Sequence, residues 1–263
     1  MDYLRTHGYL VIEDVLSPEE VQHATQLFRA WKETNAIPVG DHGIIKTHNA
    51  GHQEHAWYIR TRPNVIELFQ QVWNTKDLMV SFDGMCYMSP TDHYEGYWMH
   101  TDQSPNDTSF RCYQGMVALT DNEHKTLKVC DGSHLMYDAY VQQYNLKGVR
   151  NFNIIDEDYC KPLSQTSLSV KKGSVVLWDS RLFHQNHCGD VGNMEERIVQ
   201  YISYMPKDHK ENTEDNQLKR KNAFLKGITT THWCAPLKHA TNDTVSSPIF
   251  DIQTYGTSMH ALI

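Results

Sequence analysis

Between Met79 and Tyr204 the chain is cut into short stretches rich in β-branched and aromatic residues, with turn-forming residues between them. That pattern constrains the fold more than anything else in the sequence. Met79-Val80-Ser81-Phe82, Tyr97 to Asp102, Arg111 to Thr120, Leu127 to Val129, Leu168 to Val170, Ser174 to Trp178 and Arg197 to Tyr204 each suit a strand. So many short strands can bury their apolar faces only as a sandwich or a closed barrel. Helical patterns flank them. Ser17-Pro18-Glu19-Glu20 reads as a capped helix start, followed by Val21, Ala24, Phe28 and Trp31 on one stripe. A second helix is expected after Arg62-Pro63, with Val65, Ile66, Phe69, Val72 and Trp73 on one face. Tyr137 to Tyr144 fits a helical insertion ending near Gly148, and Glu214 to Leu225 a charged helix after the last strand. A single domain over 1–263 is expected, with the strand-rich core at about 79–206.

The chain has 263 residues and a formal net charge of -8, so a surface built to neutralise phosphates is not expected, and nucleic acid is not an expected partner. No apolar run approaches the roughly 20 residues needed to span a bilayer. Met1-Asp2-Tyr3-Leu4-Arg5 carries no cationic, apolar leader, and the six cysteines form no Cys-x-x-Cys pair. These features lead us to expect reduced thiols and a cytoplasmic location. On the same ground, Asn106-Asp107-Thr108 and Asn242-Asp243-Thr244 read as chance matches to the glycosylation pattern.

Trp98-Met99-His100-Thr101-Asp102 places an imidazole and a carboxylate two residues apart in an expected strand, where alternation points both to one face. With 16 histidines in the chain, that spacing alone is weak. Leu182-Phe183-His184-Gln185-Asn186 offers a third ligand, and two histidines with one carboxylate suit iron(II) and oxygen chemistry. His187 is the competing third ligand. Asn186, two residues beyond His184, can face the same cavity and touch a co-substrate. Arg197 opens the last strand, and an inward arginine there needs an anion such as the distal carboxylate of 2-oxoglutarate.

With these motifs in order, the sequence resembles the phytanoyl-CoA dioxygenase family of 2-oxoglutarate oxygenases. The resemblance covers Gly8 to Ile12, Trp98 to Ser104, Gln114 to Asp121, Gly132-Ser133-His134 and Gly173 to Asn186. It implies a mainly β chain with flanking helices, folded as a double-stranded β-helix, or cupin-like jelly roll. It also implies Fe(II) held by His100, Asp102 and His184, with 2-oxoglutarate and dioxygen consumed while a small-molecule carbon is hydroxylated. Arg197 matches the carboxylate binder, and Tyr87 the position of a tyrosine that donates to the co-substrate. Trp178-Asp179-Ser180-Arg181 leads into the distal histidine of the family, which favours His184 over His187. Asp102 stands where halogenating relatives carry a small residue, so oxygen insertion is expected. Asn122 to Thr126 departs from the family's glycine-rich turn.

Plainer roles are expected for several other residues. His134 is read as bonding a backbone carbonyl, Arg181 as pairing with Asp179, and Lys219-Arg220-Lys221 as a solvated helix face. The aromatic run His93, Tyr94, Tyr97 and Trp98 either walls the pocket or packs. Thr230-Thr231-His232-Trp233 resembles a C-terminal family element that closes one barrel edge. A zinc hydrolase and a non-catalytic relative are the alternative functions.

Overall fold

The computed structural model of the chain describes residues 1–94, 96–240, 259 and 261–263; Asn242-Asp243-Thr244 lies outside them. In chain order the elements are α1 (Asp2–His7), β1 (Tyr9–Ile12), α2 (Pro18–Asn35), β2 (Ile44–Ile45), α3 (Glu54–Arg60), α4 (Pro63–Trp73), β3 (Leu78–Val80), β4 (Met85–Met88), β5 (His100–Thr101) and β6 (Tyr113–Ala118). They continue as β7 (Thr126–Cys130), α5 (Tyr137–Gln143), β8 (Asn153–Ile154), α6 (Glu157–Cys160), β9 (Gln165–Ser167), β10 (Val175–Asp179), β11 (His184–His187), β12 (Arg197–Pro206) and α7 (Glu214–Leu225).

The strands form two antiparallel sheets. The larger runs β1-β10-β6-β12-β4-β2, with β3 also paired to β12, and the smaller runs β8-β5-β11-β7-β9. Neighbours in space are distant in sequence, the crossed connectivity of a double-stranded β-helix. Alternation assigns the faces of the larger sheet. Val117, Val175, Leu177, Ile198 and Ile202 join the helical core with Phe28, Trp57, Val65 and Phe69. Met116, Ala118, Val176, Trp178 and Val199 turn the other way, against Leu127 and Val129 of the smaller sheet.

The helices follow local rules. Ser17 caps α2 by accepting from the Glu20 amide at 3.2 Å, and Glu20 returns a bond to the Ser17 amide. Val21, Ala24, Phe28 and Trp31 are then buried along one stripe. Pro63 opens α4, whose Phe69 ring lies 4.6 Å from Tyr204 of β12. α3 has no side-chain cap, and its buried face includes His55 and Arg60, so its sequence carries no clear helix signature.

Three expectations change. The strand expected over Tyr97 to Asp102 is only His100–Thr101, because the Trp98 amide donates to Gln185 Oε1 and the Asp102 amide to Ser180 O instead of to a ladder. The strand expected at Leu168 to Val170 pairs instead at Gln165–Ser167 on a polar sheet edge, while Leu168 and Val170 are the buried residues that follow it. Arg220 is not solvated. It is 1% exposed and donates to the carbonyls of Val80 and Leu262 at 2.9 and 3.2 Å, whereas Lys219 and Lys221 are exposed. A helix-face pattern marks the side of the helix and says nothing of carbonyls left over by a neighbouring strand. All six cysteines are free and buried. No helix among the described residues is long and apolar enough to cross a membrane.

Phe69 is fully buried between α4 and the larger sheet, so Phe69→Ala is expected to cost about 3–5 kcal/mol by loss of contacts and cavity formation. Urea unfolding checks this; a loss under about 1 kcal/mol, the centre of the range for point mutants, would show that the helical layer does not depend on the contact.

Candidate metal centre

β11 lies between β5 and β7 in the smaller sheet, and His184 sits directly opposite His100 in the β11–β5 register. Their rings approach to 4.4 Å between centroids. Asp102 completes the group from the bend just past β5. Its Oδ2 is 3.2 Å from His184 Nε2 and its Oδ1 is 3.7 Å from His100 Nε2. One ligand atom from each of the three lies within 4.8 Å of the others.

Backbone contacts set the chemistry of the two imidazoles. His100 Nδ1 donates to Trp98 O at 3.0 Å, and His184 Nδ1 donates to Leu182 O at 2.9 Å. Each bond fixes the tautomer whose Nε2 lone pair faces Asp102. Burial, together with neighbouring His184, lowers the pKa of His100 to about 4, so this imidazole stays neutral near pH 7. For Asp102, burial raises the pKa, but the neighbouring His232 and the His184–His100 pair outweigh it, and the carboxyl is held well below its ordinary range. The result is a set of two imidazole nitrogens and one carboxylate, which fits a divalent iron.

A cavity of about 280 Å³ opens at this cluster. Trp98, Trp178 and Leu127 give it apolar walls, with Asn186 and Tyr201 in its lining as well. Trp98 stacks on the His100 ring at 4.4 Å and donates its Nε1 to Asn186 O at 3.1 Å. Thr231 and His232 close another side, and Asp83 lines the cavity with burial pushing its carboxyl up to about 7.

Arg197 is completely buried at the start of β12, just behind Asn186. Its Nη1 donates to Asn186 Oδ1 at 2.7 Å and its Nε to Asn122 Oδ1 at 3.4 Å. Weaker sulfur acceptors take the rest, Cys86 Sγ at 3.6 Å and Met116 Sδ at 3.5 Å. No carboxylate pairs with it among the described residues. Asn186 also donates to the Tyr201 hydroxyl at 3.0 Å, which ties the arginine to the cavity wall.

The structure therefore brings His100, Asp102, His184, Asn186 and Arg197 into one neighbourhood, and leaves Tyr87 outside it. Tyr87 lies opposite Ile198 in the β4–β12 register, on the face turned toward the helices. Its ring is 5.6 Å from Phe28 and carries Lys32 Nζ at 4.5 Å. The expected contact with a co-substrate is thus corrected: one position along a strand reverses the face. His187 is only half-buried and lies outside the triad. His134 bonds Arg5 O at 3.0 Å, and Arg181 pairs with Asp179 at 2.8 and 2.9 Å, both in their plainer roles.

Tyr201, Gln114, Asp83 and Trp178 were not singled out as site residues from the sequence. Tyr201 had a usable signal, since it lies four residues after Arg197 on one strand and so shares its face. Gln114 and Trp178 stand opposite each other in the β6–β10 register and can be found only once that pairing is known.

Comparison with known proteins agrees with this geometry. The sequence profile of the phytanoyl-CoA dioxygenase (PhyH) family matches residues 4–187. Ava biosynthesis cluster protein O of Aspergillus versicolor is 25% identical over 274 residues, covering 90% of this chain and 88% of its own. A putative phytanoyl-CoA dioxygenase of Dictyostelium discoideum is 23% identical over 191 residues, covering 56% and 52%. Among solved structures, the non-heme alpha ketoglutarate dependent carbocyclase SnoK from nogalamycin biosynthesis superposes with a TM-score of 0.63 at 18% identity, over 83% of this chain and 88% of its own. GIG2 of Candida albicans gives 0.70 at 16% identity, over 99% and 75%. With the family profile spanning most of the chain, including all three residues of the His-Asp-His cluster, this protein belongs to the phytanoyl-CoA dioxygenase family of Fe(II)/2-oxoglutarate-dependent oxygenases.

Proposed function

We propose that this chain is a hydroxylase that uses Fe(II), 2-oxoglutarate and dioxygen to hydroxylate an unactivated carbon of a small molecule. The observation that carries the reading is a fully buried arginine without an anion, one side chain behind a cavity that holds a two-histidine, one-carboxylate cluster. Zinc-assisted hydrolysis would use the cluster but leave Arg197 without a charged partner.

His100, Asp102 and His184 would hold the iron through the two Nε2 lone pairs and the carboxylate. When bound, the metal and 2-oxoglutarate would activate dioxygen, one oxygen atom entering succinate as carbon dioxide leaves and the other converting the substrate C–H to C–OH. Arg197 would take the distal carboxylate of 2-oxoglutarate. Among the described residues its Nη2 donates only to a thioether, so a carboxylate there gains a much stronger, charge-assisted pair. Asn186, which now accepts from Nη1, would share or yield that bond, and Tyr201 offers a hydroxyl beside it. Trp98, Trp178 and Leu127 keep bulk water from the reacting carbon and orient the substrate. The Aspergillus relative is named for a biosynthesis cluster, which supports a natural-product-like small molecule as the substrate.

His100→Ala, Asp102→Ala and His184→Ala are each expected to abolish iron-dependent succinate formation, whereas His187→Ala and His134→Ala retain it. Loss in His187→Ala with retention in His184→Ala would transfer the distal ligand to His187. For Arg197→Leu, the concentration of 2-oxoglutarate at half-saturation is expected to rise about thirtyfold or more, equivalent to about 2 kcal/mol of lost pairing; an unchanged value would remove its role. Adding 2-oxoglutarate to the anaerobic iron(II) protein is expected to produce a visible charge-transfer band, and its absence would count against chelation.

Reaction type is tested separately, with labelled dioxygen, chloride and an identified substrate. One dioxygen-derived oxygen in the product and another in succinate are expected from mass spectrometry. A chlorinated product would rule out hydroxylation, and a product without new oxygen would point to desaturation or ring closure.

A further inference from the structure

Asp102 is the metal-site residue that the local backbone holds least. β5 ends at Thr101, so no ladder fixes the carboxylate, and the elements that do so come from far along the chain. The Asp102 amide donates to Ser180 O at 3.1 Å, and Asp102 O accepts from His232 Nε2 at 3.1 Å. Those contacts hold the peptide. Only the side-chain torsions remain, and one contact from outside the histidine pair restrains them: Gln114 Nε2 donates to Asp102 Oδ2 at 2.8 Å.

Gln114 suits this task because its own backbone is fixed. It lies in β6, in the middle of the larger sheet, paired with Trp178 on one side and Ser203 on the other. Its side chain is 4% exposed and lines the cavity. A carboxylate only accepts, so the amide must present nitrogen to Asp102 and turn its oxygen away. Among the described residues, that oxygen is buried with no hydrogen-bond partner. An unsatisfied buried acceptor costs stability, and an apolar side chain like those of Met116 and Ala118 on the same face would avoid it. Packing alone therefore does not account for a glutamine here.

We propose that Gln114 is the positioning residue of the metal site, holding the Asp102 carboxylate in a single orientation toward the two histidines. The inference rests on the metal-binding reading of the triad and adds to it a residue that does not ligate. Without the amide, the carboxylate turns about its Cβ–Cγ bond and exchanges its two oxygens between the imidazoles. The metal then meets a ligand it must first order.

Co(II) serves as the probe, because its visible bands report the coordination geometry. It is titrated into the metal-free full chain as wild type, Gln114→Leu and Gln114→Met, each also in an Asp102→Ala background. Both substitutions keep the bulk and remove the donor, and the unbranched Met carries the test if the Leu variant does not fold. Affinity is expected to fall on the order of tenfold, as for other residues that orient a metal ligand, with altered bands. In the Asp102→Ala background the Gln114 substitutions are expected to change nothing, the signature of action through that carboxylate. Affinity within twofold of wild type and unchanged bands would overturn the proposal, and so would an equal loss in both backgrounds. Failure of the wild type to bind Co(II) would overturn the metal reading itself, and the inference with it.

Discussion

The pairing of His184 with His100 across β11 and β5 is the constraint on which the site depends. Two imidazoles meet because one antiparallel register places their residues opposite each other in the smaller sheet. β11 also pairs with β7, so its position is set from both sides. A shift by one residue would turn His184 out of the cavity and bring Gln185 or Phe183 into its place. Each ring then donates through Nδ1 to the carbonyl two residues before it, and the same local geometry gives both histidines the same tautomer.

The larger sheet contributes differently. Its central strands carry long side chains toward the smaller sheet around the site: Gln114 from β6, Trp178 from β10, and both Tyr201 and Arg197, the latter on Asn186, from β12. The opposite face of the same strands is apolar and packs on the helices. Stability and chemistry are thus divided between the two faces of one sheet, and period-two alternation keeps them apart. Buried arginines show how polar groups are accommodated in such a layer. Arg60 donates to the carbonyls of Gly51 and Asp83, and Arg220 to those of Val80 and Leu262, so both satisfy main-chain carbonyls of neighbouring segments. Arg197 is the contrast, since its acceptors are two side-chain amides and two sulfurs.

The structural neighbours bear on the fold alone. One is described as a carbocyclase and another as an epimerase, at 18% and 15% identity. A fold carried by proteins with such different descriptions does not by itself choose a reaction. In this chain the cavity is lined partly from beyond the family match, which ends at residue 187: Tyr201, Thr231 and His232 all lie after it.

Much of this was legible in the sequence, and the parts that were share a cause. The capped start of α2, its buried stripe, the helix after Arg62-Pro63 and most core strands follow from short-range rules that read a window of a few residues. The ordered motifs around His100, Asp102 and His184 likewise grouped the three residues that the structure clusters, because the family resemblance tied them together. What local patterns could not give was side. The resemblance matches Tyr87 to a co-substrate contact, with a half-buried core position as the alternative, and strand alternation opposite Ile198 gives it the core position beside the helices. Arg220 looked solvated because nothing near it in sequence shows the carbonyls it serves. Gln114 and His232 meet Asp102 from 12 and 130 residues away, through sheet pairing and a returning C-terminal segment. The sequence by itself determined which residues could ligate, cap and pack, since those properties belong to side chains and short spacings. Only the tertiary structure decided which of them face one another, because register and strand order are set by pairings between segments far apart in the chain.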